Sequence, residues 1–436
     1  MSTLPIAIHH AFLLPSLLRI SAHFRIISFL HPMTPLTDLP SELLLIILEQ
    51  LPDLYSLHSF SCISRRTAVV VNEYAAHLIQ TILSKDFQPI SQLARHVLDI
   101  YADPLPWSNF SEYAHFFTRG DHLPYSRVNN CRPLALRRLI ATGYNIERLS
   151  HACVQVLFKR SMSITPLKPE RGSCRIGWLD VDEWQPGHPY ELEDGGPPSW
   201  LELQRVRRAM WALHLYYELC IAGSRAGWPE SDVLALRSAT AAQFWNHKNN
   251  WEIDEYICIE EVLSQLSTDT VDSLTIGVHP VQFAARALPD GILPFPIPVI
   301  WPMRPLSRLP EWHEEFSLTC PGTGWLFYKL YCTQTRSALR STPFDFYRSL
   351  GFGIWLGNRL GYLGLAHFHF DDGLKKSRFP GTMGQVYYKW RSILPMSEYC
   401  KDEPPDLSND HLSPWRRRIL LDDDTMFGEL ASLVDL

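Results

Sequence analysis

Closely spaced cysteines are missing from this sequence. The chain of 436 residues has nine cysteines, and no two of them stand at the spacing of a C-x-x-C pair. An odd number at wide spacing argues against a regular disulfide framework and against the common zinc-binding knuckles. We therefore predict reduced thiols of an intracellular protein, most of them packed as small hydrophobic side chains.

Apolar segments long enough to cross a membrane are also missing. The best candidate, residues 11–30, contains Arg19 and Arg25, which together would cost about 5–7 kcal/mol near the centre of a bilayer. The formal net charge of −6 provides no basic excess that would attract nucleic acid or an anionic membrane surface. We predict neither nucleic acid nor membrane as a partner.

Acidic residues are absent from residues 1–37. Mitochondrial presequences share this absence, and the leucine-rich run inside the segment weakly suits a secretory leader. We favour a poorly ordered N-terminal extension, or an upstream start with Met33 as a second in-frame start, over a targeting segment.

Motifs of known catalytic sites are missing as well. The sequence has no G-x-S-x-G and no P-loop. The stretch HEEFS has Ser317 where the metalloprotease motif H-E-x-x-H needs a second histidine, and GFGIWLG has Leu356 where a dinucleotide fingerprint needs glycine. We therefore predict a protein without catalytic residues and without a cofactor.

One short motif leaves an enzymatic alternative open. In HFHFDD, His367 and His369 stand two residues apart, so they would share one face of a strand. Together with Asp371 or Asp372 they could bind iron or zinc. A surface or loop cluster explains so short a motif more simply, and we predict no metal site.

Helical periodicity dominates the remaining sequence. The whole chain is 46% hydrophobic and has 14 tryptophans, which implies large buried cores. No period of 20 to 50 residues recurs, which argues against solenoids and propellers. We predict a mainly α fold, in which an N-terminal three-helix unit precedes a larger irregular helical domain without recognisable repeats. The principal helices predicted in that domain are 90–101, 133–142, 147–160, 200–222, 230–246, 251–266, 323–339 and 344–360.

Changes in composition set the predicted domain limits. Two stretches rich in proline and glycine, near 165–198 and 280–310, interrupt the helical pattern. The second retains large apolar residues, so we interpret it as an ordered loop that lies on the core. The predicted order is an extension (1–37), the three-helix unit (38–83), the helical domain (84–401) and a polar C-terminal tail (402–436).

The stretch LPSELLLIILEQLP holds six consecutive apolar residues, Leu43 to Leu48. Pro40 suits the first turn of a helix and Pro52 ends it. Six successive residues advance about 600° around the helix axis, so the helix has no polar face in this block. A three-helix unit can cover only one side of such a helix. The block therefore predicts further cover, either by the rest of the chain or by another protein.

The same region resembles an F-box, in particular those of filamentous fungi. The family pattern is Leu-Pro-x-Glu-Leu, then Ile-Leu or Ile-Phe, then Leu-Pro, a leucine-rich second helix and a final Val/Ile-Ser/Cys-Arg/Lys-Arg. Thr67 departs from it, since the family commonly has tryptophan there. Ile46 is apolar where many members carry a polar residue, and we expect it to contact the C-terminal domain. The matching residues are Leu39, Pro40, Glu42, Leu43, Ile47, Leu48, Leu51, Pro52, Leu54, Leu57, Ile63, Ser64, Arg65 and Arg66.

This resemblance implies that the chain is the substrate-recognition subunit of an SCF-type (Skp–cullin–F-box) ubiquitin ligase. Such a subunit binds a Skp-type adaptor and, through it, a cullin, holds an unknown protein substrate, and is cytoplasmic, nuclear or both. It accelerates ubiquitin transfer by proximity and needs no nucleophile of its own. The alternative is a non-catalytic scaffold whose F-box-like unit is covered internally. The residues assigned to adaptor binding are Leu39, Pro40, Glu42, Leu43, Ile47, Leu48, Leu51, Pro52, Leu54, Leu57, Ile63, Ser64 and Arg65.

Overall fold

The computed structural model of the chain describes its helical regions and two short strands. Most of these residues are helical, in agreement with the predicted mainly α class. The predicted loop at 280–310, the extension 1–37, the tail 402–436 and the HFHFDD motif lie outside the described residues. The described residues are 38–86, 88–102, 104–118, 128, 131–168, 188–245, 249–268, 321–332, 343–365, 390 and 392–394.

The chain divides into two compact units. The N-terminal unit comprises residues 1–86 and 125–141, and the larger unit comprises residues 87–124 and 142–436. Residues 125–141 therefore group with the region that resembles an F-box, although the composition of the sequence placed them in the helical domain. The domain limits drawn from the sequence stay predictions.

Four helices form the first part of the N-terminal unit, and local signals set their ends. The Asp53 carboxylate caps the second helix, because its Oδ1 accepts a hydrogen bond from the Ser56 backbone N–H at 2.7 Å. The sequence predicts three helices in residues 38–83, but Tyr74 (φ −104°, ψ 16°) divides the third, so the structure has four. The helices are α1 (Ser41–Glu49), α2 (Leu54–Ser61), α3 (Arg65–Glu73) and α4 (Ala75–Lys85).

Helix α8 (Trp200–Arg225) forms the centre of the larger unit. It packs against four other helices, α5 (Gln88–Tyr101), α9 (Glu230–Ser238), α10 (Ala241–Phe244) and α11 (Asn250–Thr268). Eighteen of its 26 residues are buried, so the helix is enclosed over most of its length. Helix α7 begins in the N-terminal unit, to which residues 133–141 belong, and continues into the larger unit. In chain order, the elements that follow α4 are α5 (Gln88–Tyr101), α6 (Phe110–Thr118), α7 (Pro133–Met162), β1 (Leu167–Lys168), β2 (His188–Pro189), α8 (Trp200–Arg225), α9 (Glu230–Ser238), α10 (Ala241–Phe244), α11 (Asn250–Thr268), α12 (Thr323–Cys332), α13 (Asp345–Ser349) and α14 (Gly357–Tyr362). Strands β1 and β2 pair antiparallel.

Several helix limits differ from those predicted. The two helices expected at 133–142 and 147–160 form one continuous helix, α7, which passes through Gly143. The helix expected at 344–360 is wrong, because Gly351 adopts φ +83° and separates α13 from α14. A side chain at Gly351 would also collide with the Trp355 ring. Helix α6 was not predicted.

Charged side chains inside the larger unit are paired. Glu255 is fully buried and accepts hydrogen bonds from Arg205, at 2.8 Å, and from Arg208. Elsewhere Arg359 donates to both carboxylate oxygens of Glu202 at 2.9 Å. Pairing of this kind is what allows ionised groups to remain in an apolar interior.

Candidate functional site

Helix α1 presents one buried face and one exposed apolar face. Leu44 and Leu48 are fully buried in the N-terminal unit, where α1 packs against α3 and α4. Leu43 and Ile46, one turn apart, are 43% and 56% exposed. Ile47 lies beside them and is half-buried. The six-residue apolar block is therefore covered on one side and open on the other; we call Leu43, Ile46 and Ile47 the α1 face.

Ile46 is 56% exposed, so the N-terminal unit leaves most of its apolar side chain uncovered. The contact with the C-terminal domain that the sequence suggested stays a prediction. Leaving large aliphatic side chains in water is unfavourable, since full burial of one such side chain contributes about 1.5–3 kcal/mol. Two of them side by side on one helix mark a surface that a binding partner would cover.

The residues assigned from the sequence to adaptor binding fall into three groups. Leu48, Leu54 and Leu57 belong to the core of the N-terminal unit, so they support the site rather than present a surface. Their role in binding, like that of the remaining ten, stays a prediction. The half-buried group is Leu39, Ile47, Leu51, Ile63 and Ser64, and the exposed group is Pro40, Glu42, Leu43, Pro52 and Arg65.

Polar contacts hold the C-terminal end of α1 in place. The Glu49 carboxylate pairs with His77 Nε2 at 2.7 Å, and its backbone carbonyl accepts a hydrogen bond from Lys85 Nζ. Both partners lie on α4, so the end of α1 is fixed to that helix at two points. Satisfying a terminal carbonyl in this way stabilises a helix that has no glycine cap.

Thr67, the residue that departs from the family pattern, is fully buried. It forms a capping box with Ser64: the Ser64 hydroxyl accepts from the Thr67 backbone N–H at 3.1 Å, and the Thr67 hydroxyl accepts from the Ser64 backbone N–H at 3.0 Å. The small side chain thus starts α3 by hydrogen bonding, where a tryptophan would instead fill space.

Sequence reasoning missed two exposed apolar residues of the N-terminal unit. Val69 on α3 is 55% exposed, and Leu134 at the start of α7 is 76% exposed. Neither belongs to the quoted family pattern. The sequence did contain a signal of exposure, since charged residues near an apolar residue are typical of a helix surface. Val69 follows two arginines on α3, and Leu134 precedes two arginines on α7.

Two thiols of the larger unit, Cys153 and Cys258, are buried. Burial raises the pKa of the Cys153 thiol to about 12, although nearby Arg160 acts to lower it, and burial also raises the pKa of Cys258. Both thiols therefore stay protonated near neutral pH and pack as small apolar groups. The Tyr101 hydroxyl and His214 Nε2 are 2.8 Å apart in a buried network with Glu218.

Two other searches cover the described residues only. In that part of the chain, no three His, Cys, Asp or Glu side chains come together as a metal site would require. His367 and His369 lie outside it. No helix within the same residues has the length and apolar character needed to span a membrane.

Comparison with known proteins identifies one region. The family model of the F-box domain matches residues 36–73, which include α1, α2 and α3. No curated protein matches the chain, and no solved structure matches it either.

Proposed function

Because the chain carries an F-box domain at residues 36–73, we propose that it is the substrate-recognition subunit of an SCF-type ubiquitin ligase. The F-box domain binds a Skp-type adaptor and, through it, a cullin. The larger helical unit binds a protein substrate. The chain performs no chemistry itself and acts in the cytoplasm, the nucleus or both.

The α1 face is the observation that carries this proposal. Within the N-terminal unit, Leu43 and Ile46 are 43% and 56% exposed. An apolar face that its own unit leaves uncovered suits a unit that binds an adaptor.

The rigid surroundings of the α1 face support the same function. The core residues Leu44 and Leu48 hold one side of the helix, and Glu49 fixes its end to α4. A face that is already ordered loses little conformational entropy on binding. We therefore propose that the adaptor docks on a preformed surface.

Ubiquitin transfer then depends on proximity. The adaptor and cullin bring the ubiquitin-charged enzyme to the complex, and the larger unit keeps a substrate lysine close to it. Holding two reactants in one complex replaces a bimolecular encounter by an intramolecular one, which raises the effective concentration of the substrate.

Affinity purification of the full chain tests the proposal. The wild type should retain a Skp-type adaptor and a cullin. The variant Leu39→Ala with Pro40→Ala should retain less of both, because Leu39 is half-buried beside α1 and Pro40 starts that helix. A matched control is Leu234→Ala, at a 57% exposed position of the larger unit. Absence of the adaptor from the wild-type preparation at micromolar concentration would refute the assignment.

A further inference from the structure

Lysine is scarce in this chain, and arginine takes its place. The 436 residues include nine lysines and 31 arginines. The imbalance is strongest around the F-box domain, since residues 1–158 contain 11 arginines and a single lysine, Lys85. Guanidinium groups therefore carry almost all of the permanent positive charge in this part of the chain.

Buried arginines account for part of this preference. Arg205, Arg208 and Arg359 are buried and bind carboxylates, and Arg359 does so through two of its nitrogen atoms. The planar guanidinium group suits such sites better than the ammonium group of lysine. At these three positions the packing of the larger unit itself explains why arginine is present.

The exposed arginines lack this structural reason. Arg137 Nε donates a hydrogen bond to Asn72 Oδ1 at 2.7 Å, and Arg237 Nη2 donates one to the Ser224 hydroxyl at 2.9 Å. Both acceptors are neutral oxygens, to which a lysine amino group can also donate. Among the residues whose side chains the structure describes, exposed arginines outnumber exposed lysines six to two; they are Arg65, Arg66, Arg132, Arg137, Arg225 and Arg237 against Lys85 and Lys159.

Contacts within the chain restrain two of the described lysines. Lys85 Nζ donates a hydrogen bond to the backbone carbonyl of Glu49 at the end of α1. Lys329 is half-buried, and its Nζ lies 5.1 Å from the centre of the Trp325 ring and 5.7 Å from that of Tyr328. Each contact lowers the availability of an amino group that is already rare in the sequence.

The choice of cation matters for ubiquitin transfer, because lysine is the acceptor. The uncharged lysine nitrogen attacks the carbonyl carbon of the ubiquitin thioester, the carbon–sulfur bond breaks, and the thiol of the charged enzyme leaves with the proton. A guanidinium group keeps its proton in proteins and cannot act as this nucleophile. A receptor held beside the charged enzyme would otherwise offer its own lysines in competition with those of its substrate.

We propose that the arginine-rich surface protects the chain from ubiquitination by its own ligase complex, so that transfer is directed to lysines of the bound substrate. This inference rests on the proposed function. It requires that lysines introduced at exposed arginine positions become acceptors, while the charge and the fold stay the same.

Reconstituted ubiquitination of the full chain tests this inference. The chain is assembled with a Skp-type adaptor, a cullin and the ubiquitin-charged enzyme, and mass spectrometry quantifies ubiquitin on each lysine. The test variant combines Arg132→Lys, Arg137→Lys, Arg225→Lys and Arg237→Lys, all at exposed positions. We expect the wild type to be modified weakly within residues 38–245, and the variant about threefold more, because the described exposed lysines there rise from two to six.

A matched control carries glutamine at the same four positions and should be modified as weakly as the wild type. Strong modification of the wild type at Lys85 and Lys159, an unmodified lysine variant, or an equal rise in the glutamine variant would overturn the inference. Size-exclusion chromatography before the reaction shows whether the adaptor binds the chain. Its failure to co-elute would refute the proposed function, and the inference with it, whereas an assembled complex with any of the three earlier results refutes the inference alone.

Discussion

Replacing Glu255 by glutamine should destabilise the larger unit strongly. Glu255 is fully buried and shared by Arg205 and Arg208, and the Arg208 guanidinium also lies 4.7 Å from the centre of the Trp251 ring. Glutamine keeps the shape but removes the negative charge, so both guanidinium groups lose the Glu255 carboxylate, while Arg208 still lies 4.0 Å from Glu252. Removing one member of a buried ion pair costs about 3–5 kcal/mol. Because glutamine still accepts one hydrogen bond, we expect a loss at the lower end of this range, about 3 kcal/mol in the free energy of unfolding.

Tryptophan fluorescence during urea unfolding measures this effect in the correct unit, because all 14 tryptophans lie outside residues 1–86 and 125–141. With a denaturant slope of about 3 kcal/mol per M, a loss of about 3 kcal/mol lowers the midpoint by about 1 M. The matched control on the same helix is Glu261→Gln. Glu261 is 41% exposed and lies 3.2 Å from Arg348, so we expect a loss below about 1 kcal/mol. Equal midpoints for the two variants would refute this reasoning.

Two further predictions concern stability. Leu48→Ala removes a fully buried side chain and should destabilise the N-terminal unit by about 2–5 kcal/mol. Amide hydrogen exchange of residues 41–85 should therefore accelerate in this variant, and it should stay unchanged in the control Leu43→Ala. Unchanged exchange in Leu48→Ala would contradict the assignment of Leu48 to the core. Burial and the Arg207 guanidinium lower the pKa of His151 to about 4 from about 6.5. The free energy of unfolding should therefore fall by roughly 3 kcal/mol as pH falls from about 6.5 to 4, because the folded state resists protonation of His151. In urea titrations, His151→Asn should weaken this pH dependence. An unchanged pH dependence in the variant would contradict the assignment to His151.

The helix ends of the N-terminal unit could be predicted because their causes are local. Pro40, Asp53 and Ser64 act on backbone groups within four residues, so the sequence alone contains the relevant chemistry. The break at Tyr74 has no such local marker, and the apolar spacing continues across it from Val71 to Leu78. The break is seen only in the folded chain, in the backbone angles of Tyr74, where α3 and α4 both pack against α1.

Which side of α1 is open could not be predicted for a different reason. Every position from Leu43 to Leu48 is apolar, so the sequence contains no contrast between a core face and a surface face. The fold supplies the contrast by burying Leu44 and Leu48. The same limit applies to Glu255 and Arg205, since a pair 50 residues apart is defined by the packing of α8 against α11.

The most direct test of the proposed function is the dissociation constant of a purified Skp-type adaptor for the full chain, measured by calorimetry. Leu43→Ala with Ile46→Ala removes two partly exposed side chains whose burial by the adaptor contributes about 1 kcal/mol each. We expect the dissociation constant to rise about 30-fold, while Leu234→Ala leaves it unchanged. Equal affinity of the double variant and the wild type would contradict adaptor binding through the α1 face.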